Sequence, residues 1–240
     1  MLSPKIPLTP PGLIALKVSI IIPTLNEAAV IEKVLSYTQR LKPYEIILGD
    51  GGSTDNTLTI AGRFSPRVVT CPPGRGLQMN AAAGEALGDV LLFLHADSMM
   101  EPQGYAKMIE LMARQESVGG AFSLKIDSDK LLLQLISRIA TWRAKFFHIV
   151  YGDQAIFVRK DIFQRMGGFR PFPICEDLDF FRRLKKEGGV LILDEKAFTS
   201  PRRWIKEGIL FTTARNGLIA ILFLLGFSPK ILSKWYLPVR

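Results

Sequence analysis

Four short apolar runs, each ending in polar or charged residues and separated by stretches of helical spacing, constrain this chain more than any other feature. Val18-Ser-Ile-Ile-Ile22 stops at Pro23, and Val30, Ile31, Val34 and Leu35 beyond it share one helical face that Asn26 or Glu27 is placed to cap. Glu45 to Gly49 is a second strand, followed by the turn-rich Asp50-Gly-Gly-Ser-Thr-Asp-Asn56. Arg67 to Thr70 is a short third. A Pro-Pro-Gly-Arg-Gly loop at 72–76 then leads into an Ala-rich helix from Leu77 to Leu87. Val90 to Leu94 is apolar throughout, as a parallel strand covered on both faces should be. This alternation predicts an α/β fold: a single open, mostly parallel sheet with helices on both faces, right-handed crossovers and a Rossmann-like first half.

Sheets of this kind bind ligands beyond the carboxyl ends of their strands. Asn26 with Glu27, Asp50, Arg75, and His95 with Asp97 follow the four strands in turn, so polar groups converge on one edge. The second half is less regular. Strands are expected at Gly119–Ile126, Ala155–Val158 and Val190–Leu193, and a long amphipathic helix over Leu131–Phe147. Asp161 is expected to cap a short helix that Gly167-Gly168 ends, and Glu176-Asp177 to open another running to about Lys186. The chain divides into a flexible lead-in at 1–17, one domain at 18–205, whose two halves are about 18–100 and 101–205, and an apolar, basic helical tail at 206–240.

Cys71 and Cys175 make neither a spaced metal set nor a disulfide framework, and fit a reducing cytosol. The formal net charge of +9 fits nucleic acid, an anionic membrane surface or a phosphorylated substrate. Without a zinc finger, an RNA-binding motif or a basic helix-turn-helix pattern, nucleic acid is set aside. Basic residues gather late, from Arg182 through Arg202, Arg203 and Lys206 to Lys230, Lys234 and Arg240. No signal-peptide pattern opens the chain. Gly208–Phe227 is apolar but broken by Arg215 and Asn216, and the run from Gly217 falls short of the roughly 20 residues that span a bilayer. It reads as a buried helix or as an interfacial one. The expected location is cytoplasmic, with peripheral attachment to the inner face of the plasma membrane on the second reading.

The strand-end residues suit a phosphorylated nucleotide. Glu27 and Asp50 can accept hydrogen bonds from a ribose and a base edge, and Arg75, between two glycines and before a helix N-terminus, suits a diphosphate. Asp97 can hold Mg²⁺ or Mn²⁺ against phosphate oxygens. His95 is either a nitrogen ligand of that ion or a core-facing imidazole, and His148, in an aromatic stretch, reads as structural. Asp177, at a helix N-terminus that favours the anion, is placed to accept a proton. Each has a plainer reading as a turn, a cap or a solvated basic loop.

Taken in order, these segments resemble the family 2 glycosyltransferases with the GT-A fold. Val-Ser-Ile-Ile-Ile-Pro-Thr-Leu-Asn-Glu (18–27) is similar to that family's opening strand and P-x-x-N-E turn, and residues 45–57 to its V-D-D-G-S-T-D-x-T segment. Gly74 to Ala82 resembles G-K-G-x-A-x-N, Leu91 to Ser98 the strand carrying D-x-D, Glu176-Asp177 the E-D motif, and Ser200 to Trp204 the Q-x-x-R-W motif. The resemblance implies a nucleoside-diphosphate sugar donor contacted by Pro23, Glu27, Asp50, Arg75 and Asp97, and a divalent cation, Mn²⁺ or Mg²⁺, on Asp97 with His95. It further implies an inverting single displacement with Asp177 as base, and Arg203 and Trp204 closing over the diphosphate. The acceptor is unnamed, a lipid or a small hydrophobic molecule. His95 stands where D-x-D has its first aspartate, and Ser200 where Q-x-x-R-W has its glutamine, which argues against a processive synthase. The His-Ala-Asp variant looks like a bacterial subgroup associated with radical-SAM and selenodomain genes, some of whose members are named for arsenosugar synthesis. Two other enzymes fit worse. A nucleotidyltransferase would want a Gly-rich basic loop after the first strand, and a dehydrogenase a G-x-G-x-x-G. A non-catalytic nucleotide-sugar or lipid-phosphate binding module with a degenerate metal site stays open.

Overall fold

A computed structural model describes residues 16–236, so the lead-in as far as residue 15 and the last four residues lie outside the described part. Eight strands form one sheet in the order β3-β2-β1-β4-β7-β6-β8-β5. They are β1 (Val18–Thr24), β2 (Glu45–Asp50), β3 (Arg67–Thr70), β4 (Val90–Phe93), β5 (Ser98–Met100), β6 (Gly119–Ile126), β7 (Ile156–Arg159) and β8 (Val190–Thr199). The helices are α1 (Ile31–Arg40), α2 (Thr57–Gly62), α3 (Arg75–Gly84), α4 (Pro102–Ala113), α5 (Leu131–Phe147), α6 (Lys160–Arg165), α7 (Glu176–Glu187), α8 (Arg202–Glu207), α9 (Ile209–Leu224) and α10 (Pro229–Leu232).

The first half is the parallel unit the sequence predicts: β1 pairs with β2 and β4, and β2 with β3, all parallel. Beyond β4 the sheet is mixed. β7 runs antiparallel to both β4 and β6, β6 and β8 are parallel, and β5 returns antiparallel on β8. Strand β5 and helix α4 are additions to the sequence reading. Two expected caps are corrected. The cap position of α1 is Val30, with no side-chain cap, and it is the Glu27 carbonyl that takes the Val30 and Ile31 N–H groups at 3.0 and 2.9 Å. Asp161 lies inside the first turn of α6, whose cap position is Arg159.

Strand alternation splits the core into two layers. Val18, Ile20 and Ile22 of β1 pack with α1 and α4, while Ile21 faces α3 and an aromatic cluster on the other side. Phe93, Phe163, Phe169 and Phe180 make that cluster, with Phe169 stacked on Phe180 at 4.2 Å between centroids. Helix α3 crosses β2 at backbone contact. A Cβ on Gly49 would fall 2.2 Å from the Gln78 carbonyl oxygen, so only glycine fits there. The Gln78 amide then donates to the Thr24 and Gly49 carbonyls at 2.6 and 3.1 Å, fixing the start of α3 over the ends of β1 and β2.

Candidate active site

A cleft of about 590 Å³ opens at the carboxyl ends of β1 and β4. Pro23, Glu27, Arg75, His95, Asp97, Asp177, Arg203 and Trp204 all line it. A larger depression of about 840 Å³ lies near Asp89, Ser117 and Lys160, at the opposite ends of the strands, away from these groups. Asp50, expected beside Glu27, is not among the lining residues. Its carboxylate is buried and accepts the Gly52 and Ser53 N–H groups at 2.9 Å and the Ser53 hydroxyl at 2.5 Å. Here it holds the turn at 50–53 rather than facing the cleft.

The first two carboxylates share one cation that the sequence reading missed. Arg202 donates to both oxygens of Glu27 at 3.1 and 2.8 Å, and its Nε lies 3.3 Å from Asp97. Burial raises the Glu27 carboxyl above its ordinary range, with Arg202 pulling it down and the Asp97 charge adding to the rise. His95 also lines the cleft, packed so closely on the backbone of Gly152 that a Cβ there would be 2.5 Å from its Nε2. Burial, then the charges of Arg75 and Arg203, push its imidazole down to about 3, so it is neutral at ordinary pH.

Cys175 adopts φ 65° immediately before α7, and Glu176 and Asp177 reach the cleft as the helix begins. Glu176 is buried and pairs with Arg75 at 3.2 Å. Asp177 receives the Gly152 N–H at 2.6 Å on one oxygen and the Leu178 N–H at 2.8 Å on the other. The turn that supplies Gly152, residues 151–154, was not singled out from sequence. Gln154 pins it: Arg143 and the Tyr151 N–H bond to its side-chain oxygen, and its amide donates to the Phe122 carbonyl at 3.0 Å. Its aspartate, Asp153, lines the cleft with one oxygen buried and unpartnered. Burial pushes that carboxyl up to about 7; Arg143 opposes the rise, and the charges of Asp177 and Asp97 add to it. An Asp in an otherwise apolar stretch ahead of a strand was the signal available.

Arg203 lies 4.5 Å from the ring of Tyr236. Trp204 is mostly core, packed with Leu124, Ile126, Leu133 and Ala140, its indole N–H donating to Thr213 at 3.3 Å. Asn216, Ile219 and Ala220 of α9 complete the cleft wall.

The donors present fit a hard divalent cation. Asp97 and Asp153 both line the cleft, and an ion held by them would draw its other ligands from phosphate and water. Among the described residues no group of three or more His, Cys, Asp or Glu is placed to hold an ion alone. Arg202 occupies the Asp97 carboxylate in this state and competes with any such ion. Arg202→Gln is therefore expected to raise Mn²⁺ affinity without nucleotide several-fold, measured by paramagnetic resonance titration; a fall would contradict the competition.

The fold is shared with solved sugar transferases. A mannosyltransferase from Pyrobaculum calidifontis in complex with GDP-Man and Mn²⁺ superposes with TM-score 0.67 at 17% identity, covering 90% of this chain and 67% of that one. Glucosyl-3-phosphoglycerate synthase from Mycobacterium tuberculosis, in complex with Mn²⁺, UDP and glucosyl-3-phosphoglycerate, gives 0.59 at 19% identity, covering 86% and 79%. In sequence, a PGL/p-HBAD biosynthesis glycosyltransferase of Mycobacterium bovis is 32% identical over 189 residues, covering 68% of this chain and 67% of that protein. The sequence model of Glycosyl transferase family 2 matches residues 19–171, and the chain belongs to that family. It is thus a GT-A enzyme that transfers a sugar from a nucleotide sugar.

Proposed function

We propose that this enzyme moves the sugar with inversion to an acceptor hydroxyl, with Asp177 as the base. The observation that carries the reading is the placement of Asp177: both oxygens are oriented by backbone N–H groups, in the cleft that Asp97 and Arg202 also line. The acceptor oxygen attacks the anomeric carbon as that carbon's bond to the diphosphate oxygen breaks. The acceptor's proton goes to Asp177 and the bonding electron pair leaves with the nucleoside diphosphate. Glu27 and Pro23 flank the nucleoside, Asp50 shapes the turn beside it, and Arg75, Arg202 and Arg203 receive the diphosphate. Asp97, with Asp153 or His95 beside it, would hold Mn²⁺ or Mg²⁺ together with phosphate and water, and the ion would neutralise charge developing on the leaving group.

The segment at 206–236, expected as a tail, belongs to the catalytic unit on this reading because Asn216, Ile219, Ala220 and Tyr236 line the cleft. The basic, apolar C-terminal end supports attachment to the inner face of the plasma membrane. The narrower likeness to the radical-SAM-associated subgroup draws on the His95-Ala-Asp97 variant and has no support from the relatives.

Calorimetric titration with UDP, GDP and their sugars, in Mn²⁺, Mg²⁺ or EDTA, tests the donor site. Metal-dependent micromolar binding of one nucleotide, followed by a product of inverted anomeric configuration in the NMR spectrum, is expected. A folded protein that binds none of them would favour the non-catalytic module, and a retained configuration would remove Asp177 as the base of a single displacement.

A further inference from the structure

Helix α5 is amphipathic the wrong way round for a helix meeting water. Its buried stripe is Leu133, Ser137, Ala140 and Ala144, mostly small residues. The outward stripe is Leu131, Leu135, Ile139, Trp142 and Phe146, at steps of four, four, three and four residues, and these side chains are 51% to 82% exposed. Helix α9 packs beside α5 and repeats the pattern: Leu210, Phe211, Leu218 and Ile221 are exposed. After α9, Leu225, Phe227, Ile231 and Trp235 extend the exposed apolar set. Apolar exposure on this scale marks an interaction surface rather than ordinary scatter.

The charge carried by these elements themselves has one sign, with exposed Asp194, paired to Lys145, at the margin of α5. Neither α5 nor the segment 208–236 contains an Asp or Glu, while Arg138, Lys230 and Lys234 are exposed among the apolar residues. Aromatic and aliphatic side chains interspersed with cations only are the composition of a helix lying in the head-group region of an anionic bilayer. Among the described residues no helix is long and apolar enough to cross a membrane, so the contact is in-plane. The other side of α9 is the cleft wall at Asn216, Ile219 and Ala220, so only one helix thickness, about 10 Å, separates the exposed face from the site. Beside it, Ile174 and Leu178 give the wall near Asp177 an apolar lining.

We propose that α5, α9 and α10 form a docking face for an anionic lipid bilayer, and that the acceptor is a membrane lipid whose head-group hydroxyl enters the cleft past α9. The acceptor assignment rests on the transferase reading; the docking face does not. Two of the three tryptophans, Trp142 and Trp235, are on the exposed set, whereas Trp204 is buried, which supplies a direct probe.

The full chain is mixed with phosphatidylglycerol/phosphatidylcholine vesicles at low salt, with and without brominated acyl chains. Co-sedimentation, a blue shift of tryptophan emission and bromine quenching are expected. Leu135→Glu/Ile139→Glu should weaken partitioning at least tenfold while the thermal midpoint and nucleotide binding stay unchanged. Wild-type protein that neither sediments nor is quenched would overturn the docking face. A wild-type dimer in light scattering that this double variant converts to monomer, without lipid binding, would give the face to a second copy. Radiolabelled donor incubated with membrane lipid extract and with water-soluble alcohols separates the second claim: label in the lipid phase supports it, and label only in soluble alcohols overturns it. The nucleotide titration, run without vesicles, reports on the transferase reading independently of both results.

Discussion

Replacing Asp177 by Asn is expected to lower kcat by two orders of magnitude or more, with nucleotide affinity close to that of the wild type. An amide cannot take the acceptor's proton, and loss of a positioned general base costs about 10²–10⁴ in rate. The substitution also disturbs the local hydrogen bonds. Both carboxylate oxygens accept backbone N–H groups, from Gly152 at 2.6 Å and Leu178 at 2.8 Å. The amide of Asn would turn an NH₂ toward one of those donors, and the resulting lost bond should cost about 1 kcal/mol of stability. Single-turnover rates, nucleotide titration and a thermal melt therefore have to be taken together. Asp153 is the control, since it is a second aspartate lining the cleft and burial pushes its carboxyl up to about 7. Asp153→Asn is expected to raise the Mn²⁺ concentration needed for half-maximal rate and to spare the chemistry at saturating metal. If Asp153→Asn removes the chemistry at every metal concentration while Asp177→Asn turns over near-normally, the two roles are reversed.

The first half of the molecule was legible because its physics is local. β-Branched runs such as Val18–Ile22 and Val90–Phe93 become buried parallel strands, and their ends fix the positions of Glu27 and Asp97. What the sequence concealed depends on long-range pairing. Nothing near Ile156–Arg159 states that this strand will run antiparallel to β4, yet that pairing carries the 151–154 turn under Asp177. Arg202 was passed over for its neighbour Arg203, although Arg202 is the one that joins Glu27, 175 positions away, to Asp97. The apolar stripe of α5 has the spacing of an ordinary core-facing helix. Which side faces inward was settled by the small residues Ser137, Ala140 and Ala144, which let the helix approach β6 closely. Asp50 shows the converse: a residue at the expected strand end whose carboxylate is spent on its own turn.

Arg75 has two duties, and they are expected to separate under mutation. Its guanidinium lies 3.2 Å from Glu176, a carboxylate only 2% exposed, and it also faces the cleft where a diphosphate would arrive. Removing one member of a fully buried ion pair costs about 3–5 kcal/mol, and because the Arg75 side chain is 41% exposed, a loss of about 2 kcal/mol is the expected figure for Arg75→Met. Burial already raises the Glu176 carboxyl above its ordinary range, with Arg75 pulling against it; without Arg75 the rise is larger. A carboxyl raised in the folded state stays protonated there while the unfolded chain ionises. The deficit of Arg75→Met should therefore be small below the unfolded pKa of Glu176 and grow as pH rises toward the folded one. Urea unfolding at pH 5 and pH 8 measures it. Arg75→Met/Glu176→Gln, which removes both charges of the pair, should recover most of the stability at pH 8. It should not recover the donor site: loss of a charge-assisted contact to a diphosphate, about 1.5–3 kcal/mol, weakens UDP or GDP binding by roughly tenfold or more in the single and double variants alike. A double variant that binds nucleotide as the wild type does would make Arg75 a structural partner of Glu176 alone, and would leave Arg202 and Arg203 to hold the diphosphate.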